Sequence, residues 1–178
     1  MSLALVRVDD RLLHGQVALG WGPGVHARVY LIADDRVAAD SWERAAYEAA
    51  APPGTRVEVW DLARLAARWR DLNGAEGTVI LLRGLRELAD LEKTGFRPPS
   101  GVNLGGLHAS PGTRELLPFL HVTMDESAIL ARLLESGLGL YAQELPGRPR
   151  YDRDALLALL AAMEGGAAAG RTGSGAGR

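Results

Sequence analysis

Arg7-Val8-Asp9-Asp10-Arg11-Leu12-Leu13-His14-Gly15-Gln16-Val17 decides the fold, because here an apolar run gives way to a polar cluster and then to a helical pattern. Residues 3–8 read as a short buried strand, and the polar cluster marks its C-terminal end. Parallel α/β sheets build their sites at such ends. Beyond it, Leu12, Leu13, Val17, Leu19 and Trp21 form a helical apolar pattern that starts near Asp10 or Arg11 and stops at Pro23-Gly24. His14 is therefore expected near a helix N-terminus.

Free backbone N–H groups and the positive end of a helix dipole favour an anion beside His14, and Gly15 has no Cβ to obstruct a phosphate. Arg11 adds a permanently charged fork of donors. A neutral imidazole attacks phosphorus through one ring nitrogen while Asp9, Asp10 or a backbone carbonyl holds the proton on the other. The plainer fate of a single histidine is a helix cap or a hydrogen-bonded structural role. For Arg11 the plain alternative is a surface salt bridge with Asp9 or Asp10, which is worth little in water. Asp10 is either an N-cap or part of the site. Asp9 orients either His14 or Arg11.

The remaining chain alternates apolar runs with helical stretches. Strands are expected at residues 27–33, 55–60, 78–82, 101–104, 119–123 and 138–145, and helices at 36–50, 62–72, 85–93, 125–135 and 152–163. Pro52-Pro53-Gly54 and Asn73-Gly74 interrupt the pattern, and residues 108–113 form a loop rich in turn residues. Such alternation implies βαβ units with right-handed crossovers. The expected fold is a single doubly wound α/β domain over residues 1–164, with a mainly parallel sheet of about seven strands and helices on both faces. From Gly165 onward Ala, Gly, Ser and Thr dominate, so residues 165–178 are expected to form a disordered tail.

Composition narrows the function. A chain of 178 residues with 47% hydrophobic content suits one sizeable core. The net charge of -2, without a basic run, argues against nucleic acid or an anionic membrane surface as a partner. Cysteine is absent, so neither a disulfide framework nor a thiolate metal site is available. No apolar run approaches the roughly 18 residues of a membrane span, and the N-terminus lacks a secretory pattern. A cytoplasmic protein is expected, with any membrane contact made through a partner.

Asp9-Asp10-Arg11-Leu12-Leu13-His14-Gly15-Gln16-Val17 resembles the active-site loop of the enzyme IIB component of the mannose/fructose/sorbose class of the bacterial sugar phosphotransferase system. The resemblance continues through Ala51-Pro52-Pro53-Gly54, Val102-Asn103-Leu104-Gly105-Gly106 and Val122-Thr123-Met124-Asp125-Glu126, spanning residues 3–162. It implies six parallel strands with one antiparallel strand at an edge. It also implies that a phosphohistidine on a IIA partner phosphorylates His14, which passes the group to a sugar carried through membrane IIC and IID subunits. Such a phosphohistidine:sugar phosphotransferase needs no metal or organic cofactor. With no domain following the C-terminal segment, IIA is expected as a separate chain.

Further candidates surround this core motif. Gln16 either hydrogen-bonds phosphate or lies exposed on the helix. Gly105 and Gly106 either admit a phosphate close to the backbone or form a tight turn. His108, in the same loop, either assists phosphate or sugar binding or has a structural role. Asp34 ends the second strand as a ligand or a helix cap, and Arg83, a candidate phosphate contact on the substrate side, stands where the family often carries a small polar residue and a proline. The rival function is a regulatory module that takes phosphate on His14 without feeding a transporter. A nucleotide-binding enzyme is weaker still, since neither GxGxxG after the first strand nor GxxxxGK[ST] is present.

Overall fold

Strand β1, Leu5–Asp9, is buried along its whole length, and its alternation sets the two faces of the molecule. Val6 and Val8 point to one side while Leu5, Arg7 and Asp9 point to the other, as successive strand residues must. The computed structural model describes residues 3–74 and 77–169. The further strands are β2 Val29–Ala33, β3 Arg56–Trp60, β4 Thr78–Leu82, β5 Val102–Gly106, β6 Arg114–Leu117, β7 Leu120–Val122 and β8 Leu140–Ala142. Six of them form one sheet of order β3-β2-β4-β1-β5-β8, and every pairing in it is parallel.

Helices α1 Asp35–Ala39, α2 Ser41–Ala49, α3 Leu62–Arg68, α4 Leu85–Lys93, α5 Met124–Glu135 and α6 Arg153–Ala169 accompany the sheet. Val6 and Val8 pack with Leu65 of α3, Leu85 and Leu88 of α4, Leu130 and Leu133 of α5, and Leu156 and Leu160 of α6. A smaller core joins Leu5, Tyr30, Ile32 and Val79 to Leu12, Val17, Trp21 and Val37. Each such buried aliphatic side chain stabilises the fold by roughly 1.5–3 kcal/mol. Helix starts follow local chemistry: Asp61 caps α3, and Thr123 with Glu126 forms a capping box on α5.

Several expectations change, and where about seven strands are expected the described residues form eight, six in the parallel sheet and two in a separate hairpin. The helix expected at 36–50 divides at Asp40, whose side chain accepts the Trp42 and Glu43 N–H groups and so favours a new N-cap over a helix interior. The strand expected at 119–123 forms as β7, but it pairs antiparallel with β6 outside the main sheet. Leu107 N–H donates to Phe119 O, and His121 N–H to Leu107 O, which ties this hairpin to the end of β5. The edge strand β8 is instead closed by reciprocal hydrogen bonds between Ala142 and Tyr151. Finally, α6 continues to Ala169, past the expected start of a disordered tail at 165, and residues 170–178 lie outside the described residues. Among the described residues, no helix is long and apolar enough to cross a membrane.

The chain leaves β1 toward β2 on one side and β5 toward β8 on the other, so the C-terminal ends of β1 and β5 bound a crevice. The loops that carry His14 and His108 follow these two strands.

Candidate functional site

The helix expected from Leu12 onward begins later. Leu12 has φ 53, a left-handed backbone that costs a bulky residue about 1 kcal/mol or more, and its side chain is fully buried. Burial of that side chain holds the kink in place. Val17 and Ala18 both donate their N–H groups to His14 O, so the helical turn Gln16–Trp21, which has π-type geometry, starts from His14 itself. The kink also turns Leu12 O toward the imidazole, 3.0 Å from His14 Nδ1. A carbonyl only accepts, so this contact places a proton on Nδ1. Nε2 stands 3.5 Å from Gln16 Oε1 and 3.9 Å from Asp9 Oδ2.

Asp9, not Asp10, is the carboxylate that faces His14. Its Oδ2 accepts from Arg7 Nε and Nη2 at 3.2 and 2.8 Å, while its Oδ1 accepts the Arg11 N–H at 3.2 Å and lies 3.5 Å from Arg11 Nε. Arg7 is fully buried beside it. Arg7 Nη1 donates to Asn103 Oδ1 at 2.6 Å and to Gln143 O at 3.2 Å, and the guanidinium lies 5.7 Å from the Trp21 ring centroid. Burial pulls the Arg7 pKa below its ordinary value, against the opposing field of Asp9. Buried ions need partners on every side, and Asp9, Asn103 and Gln143 provide them.

Gly105 has a reason that sequence patterns do not reveal. A Cβ there would stand 1.8 Å from Arg7 Cζ, so only glycine leaves room for the guanidinium. At Gly106 a Cβ would lie 3.1 Å from Asp9 Oδ2. Together they line a cleft of about 260 Å³ with Arg11, Gln16 and His108. Gly15 has open space around its Cα, leaving the backbone beside His14 approachable.

Arg11 Nη2 donates to Gln16 Oε1 at 2.7 Å, and the arginine side chain is 40% exposed. Gln16 Nε2 lies 3.5 Å from Glu144 Oε1. Asp10, expected as a cap or as part of the His14 cluster, instead reaches the loop after β5. Its Oδ2 accepts the His108 N–H at 2.7 Å, and its Oδ1 lies 2.6 Å from His108 Nδ1.

Asp34 and Arg83 form a separate pair at the ends of β2 and β4. Asp34 Oδ1 accepts the Val37 N–H at 2.8 Å and so caps α1, while Oδ2 accepts from Arg83 Nε. Burial raises the Asp34 pKa, but Arg83 and the Val37 N–H outweigh it and hold the carboxyl below its ordinary value. Burial likewise lowers Arg83, yet Asp34 outweighs it and the net shift is upward. Arg83 Nη1 lies 3.5 Å from Asp10 O, and Arg83 lines a second cleft with Asp10 and His108. The helix-cap alternative therefore describes Asp34. Sequence reasoning gave no role to Arg7, Gln143 or Glu144; the available signal was an arginine inside an otherwise apolar, buried strand.

Comparison with known proteins identifies the group to which this arrangement belongs. Residues 3–165 match the family described as PTS system sorbose subfamily IIB component, where PTS is the sugar phosphotransferase system. The sorbose-specific EIIB component of Lacticaseibacillus casei is 29% identical over 153 residues, covering 85% of this chain and 93% of that protein. The N-acetylgalactosamine-specific enzyme IIB component 2 of Escherichia coli (strain K12) is 26% identical, covering 88% and 99% respectively. The IIB domain of the sorbose permease from Klebsiella pneumoniae superposes with a TM-score of 0.76 at 26% identity, over 89% of this chain and 97% of that one. The chain is thus a IIB component of a sugar phosphotransferase system. Within that class it belongs to the sorbose subfamily, of the mannose/fructose/sorbose group.

Proposed function

We propose that His14 accepts a phosphoryl group from a phosphohistidine on a IIA protein and passes it to a sugar carried through membrane IIC and IID subunits. The observation that carries this reading is the placement of His14. It lies at the crevice between β1 and β5, at the start of a helical turn, with Arg11 reaching Gln16 at its edge. Positioning and charge stabilisation are most of what phosphoryl transfer requires. Among the described residues Arg11 is held by Gln16 and, more loosely, by Asp9, so it is free to turn onto an arriving phosphoryl group. Attack through Nε2 uses the ring as it stands, whereas attack through Nδ1 requires the ring to leave Leu12 O. Nitrogen-15 NMR of the phosphorylated protein distinguishes the two. The protein would work at the cytoplasmic side of its membrane partners.

The direct test is intact-protein mass spectrometry near neutral pH after incubation with phosphoenolpyruvate, the general phosphotransferase proteins and the cognate IIA. One acid-labile phosphoryl group is expected, and none on His14→Ala. No phosphate on the wild type with an active IIA overturns the proposal. Phosphate that loads but never reaches a sugar favours the regulatory module.

A further inference from the structure

Beside the His14 loop stands a second histidine held in another way. Asp10 grips His108 through both carboxylate oxygens, one on the ring at Nδ1 and one on the same residue's N–H. The carboxylate only accepts, so Nδ1 carries a proton, which in the neutral ring leaves the lone pair on Nε2. A base oriented and kept in one tautomer by a carboxylate is the arrangement that removes a proton from an attacking hydroxyl. The His108 side chain is 52% exposed and lines the same cleft as Arg11, Gln16, Gly105 and Gly106. Gln16 in turn lies 3.5 Å from His14 Nε2. His14 is joined to this cleft through Gln16, which lines it together with Arg11 and His108.

Two other basic groups line the cleft, and neither is prepared in this manner. Glu144 Oε1 meets Gln16 Nε2 at 3.5 Å, and His121 Nε2 faces the exposed Glu115 at 3.8 Å. Only His108 is fixed from two directions by one carboxylate.

We propose that His108, oriented by Asp10, is the catalytic base for transfer from His14 to the sugar hydroxyl. This rests on the reading of His14 as the phosphoryl carrier. As the hydroxyl oxygen attacks phosphorus, its proton passes to His108 Nε2. The new P–O bond forms, the P–N bond breaks, and its electron pair returns to the His14 ring. The His14 nitrogen opposite the phosphoryl group keeps its proton, so the ring leaves as neutral imidazole. His108 then releases its proton to water. Loading of His14 from a phosphohistidine involves no hydroxyl proton, so the Asp10–His108 pair acts in the second step alone.

The experiment separates the steps. Wild type, His108→Gln and Asp10→Asn are loaded to completion with phosphoenolpyruvate, the general proteins and IIA, then isolated. Each is mixed with vesicles carrying the cognate IIC and IID and, in turn, mannose, fructose, sorbose and N-acetylgalactosamine. Single-turnover loss of protein phosphate to sugar phosphate is then measured. His108→Gln is expected to discharge about 100-fold more slowly. Asp10→Asn keeps a side chain of the same shape, but its amide donates to Nδ1 and drives the proton onto Nε2, so it is expected to lose at least as much. A merely structural tie would survive that change, and thermal unfolding reports whether the fold is intact. Loaded variants that discharge at the wild-type rate overturn the proposal. Slow discharge by His108→Gln with normal discharge by Asp10→Asn removes Asp10 from it. A wild type that fails to load overturns the His14 reading itself, and one that loads but discharges to none of the sugars overturns the transfer step and the base together.

Discussion

Two adjacent carboxylates at the end of β1 meet two histidines in opposite ways. Asp9 gives its oxygens to Arg7 and Arg11 and stays 3.9 Å from His14 Nε2, whereas Asp10 holds His108 at 2.6 and 2.7 Å. A histidine that must make and break a bond to phosphorus needs a nitrogen left uncommitted. One that only takes up protons gains from being held. The difference arises from the pleat: Asp9 is the last β1 residue facing the smaller core, so it turns inward to Arg7, while Asp10 lies past the strand and faces the loop after β5.

The largest effect is expected at Arg7. Arg7→Met leaves Asp9 buried without its main partner and is expected to cost about 3–5 kcal/mol in urea unfolding, with much of the loss regained in Arg7→Met/Asp9→Leu. A cost below about 1 kcal/mol would remove the ion pair as the support of the site. Next comes Arg11→Ala, expected to slow phosphate uptake from IIA by about 100-fold, as loss of one charge-stabilising donor does. Because Arg11 is partly exposed, its unfolding free energy should change by no more than about 0.5 kcal/mol.

Gly105→Ala sharpens the picture from the neighbouring strand. Its Cβ would displace the Arg7 guanidinium, and overpacking of this kind costs about 1–3 kcal/mol. An unchanged midpoint in urea would mean that the buried pair can move aside. Asp34→Ala is the mildest, at about 1 kcal/mol for the lost helix cap. The native Asp34 pKa is depressed, so its contribution is fully present above the ordinary carboxylate range and fades as pH falls through the lowered native value. The stability gap between wild type and Asp34→Ala should therefore narrow on acidification, and a gap that widens would contradict the Arg83 pairing.

Much of the fold was legible from local pattern. Strands β1 to β5 and helices α3 to α6 lie near their expected positions, because their apolar runs, caps and breakers are local signals. Strand β6 was not, since Arg114-Glu115-Leu116-Leu117 is short, half charged and follows a loop rich in turn residues. The helical period of Leu12 and Leu13 points to an earlier start for the helix after β1, but burial of Leu12 in the smaller core holds it in a left-handed conformation instead.

The α/β class, the family and the cluster from Asp9 to Gln16 at the end of the first strand are all readable from the amino-acid sequence alone. Those features are written in periodicity and in one contiguous motif. Tertiary contacts set which carboxylate meets which histidine, why residue 105 is glycine, and the pairing of Asp34 with Arg83. Each depends on strand order and register, which set Arg7 beside Asn103 and bring the loop after β5 onto Asp10. No local pattern contains that pairing, because its partners lie about a hundred residues apart in the chain.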